Sequence, residues 1–180
     1  MYLRLIGEAV VNQVELTDSD ISQLVTSSPS LKCFIDWLDG LKERPTLKTL
    51  EERLLDLDVN LENLGKFLGY TDDGYQRNVV KKTEHYELVL ICWKPGQKTP
   101  IHDHKGSDCA FLILEGVSTE SVYKNKEGKL EVSGIRKYAP GEVCAAEEPD
   151  IHMISNDEEI NLVNLHLYSP PLKDFTIYGS

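Results

Sequence analysis

The stretch KTPIHDHKGSDCAFLILEG, residues 98–116, sets two histidines one residue apart, follows them with a cysteine, and then turns fully apolar. In an extended chain successive side chains alternate between faces, so His102 and His104 project to one side while Asp103 points to the other. A strand face that carries two imidazoles and then enters a buried run is where a third remote ligand can complete a metal site. His152 in PDIHMISN is the candidate, because antiparallel strands bring distant residues side by side; ordinary surface or core histidines are the alternative reading of the same residues.

Around this stretch the chain reads as β structure. From about residue 75, short β-branched and aromatic runs alternate with turn signals: HYELVLICW (85–93), KPGQ, IHDH, CAFLILEG, a pair of strands joined through KNKEGK (124–129), APGEV and NLVNLHLYSPP (161–171). Upstream, the pattern is helical. Thr17 or Ser19 offers an N-cap before Ile21, Leu24 and Val25, and Pro29 sits in a first turn ahead of the stripe Leu31, Phe34, Ile35 and Leu38. TLKTLEERLLDL (46–57) and NLENLGKFLGY (60–70) continue the helical spacing. Helices first and strands afterwards, with no βαβ alternation, predict a mainly β fold with N-terminal helices, whose second part is an antiparallel sandwich or small barrel. With no repeat, tract or linker, one domain over 1–180 is expected, helical over about 15–70 and a β-barrel over about 75–180.

Composition narrows the function classes. A chain of 180 residues buries about 70% of its unfolded surface, so folding needs no metal staple. A formal net charge of −11 disfavours nucleic acid and anionic membrane partners. Cys33, Cys92, Cys109 and Cys144 are scattered without a CxxC pair, which reads as reduced thiols in a cytoplasmic protein rather than a disulfide frame. Neither a signal peptide nor a long apolar window is evident in the sequence.

The spacing of Gly96, His102, His104, Cys109 and Gly116, and later Pro149, His152 and Asn156, resembles the two signature motifs of the cupin superfamily, a small double-stranded β-barrel that holds a metal between HxH and a later His. Cys109 stands where many cupins place a ligating glutamate. That departure, with YQRNVV (75–80), ICWKPG (91–96) and above all LHLYSPP (165–171), resembles the cysteine dioxygenases over residues from about 75 to 172. The N-terminal helices carry no such match.

The resemblance implies Fe(II) held by His102, His104 and His152. Three neutral imidazoles leave the ion its full charge, which suits an anionic thiolate. It implies L-cysteine bound through sulfur and amine, dioxygen as co-substrate, and cysteine sulfinic acid as product. It gives Arg77 the substrate carboxylate, since a guanidinium forks two hydrogen bonds to it, and Tyr75 a hydroxyl in the same pocket. Read without the family, an arginine beside a strand start is a solvated or salt-bridged residue. Tyr168 is implied as a hydrogen-bond donor or acid–base group near the substrate, with His166 orienting it and Cys109 open to a thioether link with its ring. In NLVNLHLYS, Val163, Leu165 and Leu167 share one face and Asn164, His166 and Tyr168 the other. The family usually carries serine at the Asn164 position. The Ser169–Pro170 bond is a candidate for the cis form. Two alternatives stand beside this reading: a thiol dioxygenase for another small thiol such as 3-mercaptopropionate, whose enzymes tend to lack the arginine, and a non-catalytic metal-binding cupin module. A monomer is the expected state.

Overall fold

The computed structural model describes residues 2–6, 9–146 and 151–179. Pro149 of the second motif lies outside them. The chain runs β1 (Tyr2–Ile6), β2 (Ala9–Glu15), α1 (Asp18–Ser27), α2 (Pro29–Asp39), α3 (Leu47–Leu55) and α4 (Leu61–Leu64), and then enters β3 (Gln76–Lys82), β4 (Glu87–Trp93), β5 (Ile101–His102) and β6 (Asp108–Glu115). It continues as β7 (Ser118–Lys126), β8 (Lys129–Tyr138), β9 (Val143–Ala146), β10 (Ile151–Ser155), β11 (Leu162–Ser169) and β12 (Ile177–Tyr178). Among the described residues the strands form one sheet in the order β1-β2-β3-β4-β11-β6-β9 and a second in the order β12-β5-β10-β7-β8.

The helices start where local chemistry favours it. Thr17 caps α1 in a reciprocal box with Asp20, satisfying backbone donors at its start, and Pro29 occupies the first turn of α2 where its missing N–H costs nothing. Thr46 caps α3. The helical reading of residues 60–70 shrinks to α4 and a single tight turn over Gly65–Phe67. Glycine there gives up the most backbone freedom on entering a helix, and the element stops.

Alternation along the central strands separates two apolar cores. Leu88, Leu90 and Cys92 of β4, Ala110 and Leu112 of β6, and Val163, Leu165 and Leu167 of β11 pack beneath the helices with Leu24, Leu31, Phe34, Leu38 and Leu50. Val89, Ile91 and Trp93, Cys109, Phe111 and Ile113, and Tyr168 face the other way, toward Ile154 of the second sheet. Every residue of β4 and of β11 is buried, because helices cover one face of this sheet and the second sheet covers the other.

The expected order of helices followed by strands is corrected at the N-terminus. Two strands precede the helices, and β2 pairs parallel with β3, Asn12 opposite Gln76 and Gln13 opposite Arg77. The helices are therefore the crossover that parallel neighbours require, a βαβ connection that the sequence reading excluded. Elsewhere the turn signals hold. Glu127 and Gly128, both at positive φ, make the tight turn between β7 and β8. Gly116 has φ 75° and a Cβ there would lie 2.5 Å from the Asn161 carbonyl oxygen, so the close approach of the 161–162 backbone admits only glycine. The Ser169–Pro170 peptide is cis.

Candidate metal centre

Strand β5 is only two residues long, so His104 lies just beyond it, yet the period-two geometry survives. His102 pairs in register with His152 of β10, and the three rings converge, with one nitrogen from each inside a 4.8 Å span. His104 Nε2 lies 3.0 Å from His102 Nε2 and 3.4 Å from His152 Nε2. Burial first, and the neighbouring His152 next, hold His102 down to about 3, and burial keeps His104 well below the usual imidazole range. Both rings are neutral at physiological pH.

The outer nitrogens fix the tautomers. His102 Nδ1 donates to the Pro100 carbonyl at 2.9 Å, and His152 Nδ1 lies 2.9 Å from Glu120 Oε1. Burial raises the Glu120 carboxyl, but the hydrogen bond from His152 and the carboxyl's other polar contacts, Tyr138 among them, together outweigh that and leave it lowered, hence ionised and accepting. With a proton on Nδ1 in each case, the His102 and His152 rings turn their Nε2 atoms toward His104. A bridging proton satisfies such a cluster incompletely; a divalent ion satisfies all three at once. The donor set, three imidazole nitrogens beside an open cavity, fits a first-row divalent cation, iron included.

The adjoining cavity, about 50 Å³, is lined by Tyr75, Arg77, Trp93, Cys109, His166 and Tyr168 besides the three histidines. All eight residues singled out from the sequence meet here. Arg77, 11% exposed, gives one guanidinium nitrogen to Glu87 Oε1 at 3.1 Å, and Glu87 is also held by Lys82 at 3.2 Å. Arg77 is thus both salt-bridged and part of the cavity lining. Its guanidinium lies 5.5 Å over the Tyr168 ring. Tyr75 stacks on Trp93 with ring centres 4.3 Å apart, and burial pushes its phenol above the ordinary range.

Tyr168 stands directly opposite Cys109 across β11 and β6. Its hydroxyl is 3.4 Å from His166 Nδ1, which also lies 3.9 Å from Cys109 Sγ. Burial pushes both the Tyr168 phenol and the Cys109 thiol up, so both carry their protons. His166 stacks on Phe111 at 4.3 Å. Asn164 Oδ1 accepts from Trp93 Nε1 at 2.6 Å, while Asn164 Nδ2 and His166 Nε2 are buried without partners among the described residues. His85 stays on the surface, 63% exposed.

Sequence reasoning missed the burial of three carboxylates, Glu87 beside Arg77 and two others. Glu120 on β7 orients His152, and Asp103, turned away from the cavity as the alternation required, accepts from Thr176 N at 2.7 Å and Tyr178 Oη at 2.9 Å. A single acid in an otherwise uncharged strand run, STESVY, was the available signal for Glu120.

Two sheets enclosing a three-histidine cluster define a cupin-type double-stranded β-helix. A Klebsiella pneumoniae protein described as having a double-stranded beta-helix domain shares the fold with a TM-score of 0.56 at 14% identity, covering 69% of this chain and 99% of its own. The family model for cysteine dioxygenase type I matches residues 53–180, and the chain belongs to that family. It is 30% identical to the zebrafish (Danio rerio) cysteine dioxygenase type 1 over 122 residues, 63% of this chain and 60% of that one. To the human enzyme it is 31% identical over 103 residues, 54% of this chain and 52% of that one. The chain thus spans only about half to three-fifths of the curated relatives it matches. No helix among the described residues is long and apolar enough to cross a membrane.

Proposed function

We propose that the chain is an iron(II)-dependent dioxygenase that adds both atoms of dioxygen to the sulfur of L-cysteine, giving cysteine sulfinic acid. The observation that carries the reading is the convergence of three imidazole Nε2 atoms on one wall of a small cavity that also holds a buried arginine and the facing pair Cys109 and Tyr168. His102, His104 and His152 would hold the metal. Bound there, iron(II) would supply a seat for the thiolate and the electrons that make dioxygen reactive toward sulfur.

The protein's own groups bind and orient. Arg77 donates to the substrate carboxylate through the N–H groups that Glu87 leaves free, and the Tyr75 hydroxyl adds a further donor from the next strand position on that face. Tyr168, kept protonated by burial, donates its hydroxyl hydrogen toward the substrate, while His166 Nδ1 limits where that hydroxyl points. The Cys109–Tyr168 pairing suits a thioether: a C–S bond replaces the S–H bond and one ring C–H bond, and dioxygen takes up the two electrons and two protons released. The helices share a core with the outer face of the larger sheet, which supports reading the chain as one domain.

The arginine in the cavity favours cysteine over 3-mercaptopropionate. The test is oxygen uptake by iron-loaded protein with each thiol, with mass spectrometry of the product. Cysteine-dependent uptake with one sulfinate formed per dioxygen is expected. Uptake that ignores thiol, or a clear preference for 3-mercaptopropionate that survives Arg77→Ala, overturns the reading.

A further inference from the structure

After β11 the chain returns across the mouth of the cavity as a strap, residues 170–178, fixed at both ends to the segment that carries His102 and His104. Ser107 Oγ donates to the Pro170 carbonyl at 2.6 Å. At the other end, Asp103 N donates to the Thr176 carbonyl at 3.2 Å, and Ile177 of β12 pairs with His102. Asp103, 4% exposed, has both carboxylate oxygens occupied by the strap, one by the Thr176 amide and one by the Tyr178 hydroxyl.

Between these fixings Leu172 and Phe175 line the cavity. Phe175 also lines an open surface hollow with Lys105, Lys173 and Thr176, so this residue stands between cavity and solvent. A cavity of about 50 Å³ leaves little to spare.

We infer that Leu172 and Phe175, held down through Asp103, form an apolar roof that sets the upper size limit of the thiol: the cysteine frame fits beneath it and the homologue longer by one methylene, homocysteine, does not. The inference rests on the proposed thiol chemistry of the same site. A substrate held by sulfur at the histidines and by carboxylate at Arg77 has both ends fixed, so an added methylene must bow out of line. In a close-packed site the displaced atoms meet side chains that are themselves anchored, and overpacking is unfavourable.

The test measures dissociation constants of L-cysteine and homocysteine for iron-loaded protein without oxygen. Wild type should bind homocysteine about tenfold or more weakly, the scale at which a well-formed pocket resolves one methylene. Phe175→Ala and Leu172→Ala should bring the two constants together, and Phe175→Leu, which keeps an apolar side chain, should lie between. Tyr178→Phe, which removes one anchor and no wall, should shift the ratio the same way by less and speed hydrogen exchange at the Thr176 amide. Equal binding by wild type, or a ratio unchanged in folded Phe175→Leu and Leu172→Ala, overturns the roof. Protein that binds thiols but consumes no oxygen fails the dioxygenase reading while the ratio still decides the roof; protein that binds neither thiol overturns both.

Discussion

Glu120 and His152 are buried together, carboxylate to Nδ1 at 2.9 Å, on the adjacent strands β7 and β10 where Val122 is the register partner of His152. The contact holds the His152 ring so that its Nε2 faces the other two imidazoles. Tyr138 donates to the second Glu120 oxygen at 3.2 Å and anchors the carboxylate from β8. Glu120→Gln keeps an acceptor but loses the charge, and metal affinity measured by chelator competition should fall about 10- to 100-fold. Unchanged affinity would mean that Glu120 serves packing alone.

Across β6 and β11, Cys109 and Tyr168 are register partners. Active protein should yield a tryptic peptide pair joined at these residues, lighter by two hydrogens than the separate peptides. Cys109→Ser should abolish the species and leave iron content unchanged. Recovery of only the unjoined peptides from turned-over enzyme would refute the link.

Arg77 carries a prediction that separates binding from folding. Arg77→Ala should lower kcat/KM for cysteine roughly 10- to 100-fold, about the 1.5–3 kcal/mol of a hydrogen-bonded charged group, and should barely affect cysteamine, which has no carboxylate. Removing the guanidinium also strips Glu87, 3% exposed, of one of its two cations, so a lower Tm is expected alongside. Equal losses for both thiols would assign Arg77 to the fold.

A partly exposed contact gives a pH dependence remote from the metal centre. Asp39, at the end of α2, accepts from the Tyr86 hydroxyl at 2.7 Å and from Lys81 at 2.6 Å. Burial raises its carboxyl, but the Lys81 and Tyr86 hydrogen bonds outweigh that and leave it below the ordinary carboxylate value. A folded-state value below the unfolded one contributes stability that is present at neutral pH and lost as pH falls below about 4. Chemical denaturation should find Asp39→Asn less stable than wild type at pH 7, with the gap closing in that acid range. A gap that widens in acid would reverse the sign.

Much of the site was legible because its spacing obeys strand periodicity. His102 and His104 alternate around Asp103, and Asn164, His166 and Tyr168 alternate against Val163, Leu165 and Leu167, so each set falls on one face whatever the rest of the chain does. The parallel pairing of β2 with β3 was not legible. Residues 9–15 form a short, largely apolar run without turn signals of its own, and its partner lies beyond all four helices. The helix α4 is shorter than its spacing suggested because Gly65 interrupts it. Glu120 and the 170–178 strap were hidden for another reason: their roles depend on which strands become neighbours, and side-chain alternation does not specify that.

The central claim is that one metal ion, held by His102, His104 and His152, carries thiol-dependent oxygen chemistry. The most direct measurement titrates iron(II) into metal-free protein and follows cysteine-dependent oxygen uptake at each addition. Uptake should rise with iron, level at one equivalent per chain and fall to background in His152→Ala. Full uptake without iron, or one bound iron with no uptake from any small thiol, would contradict it.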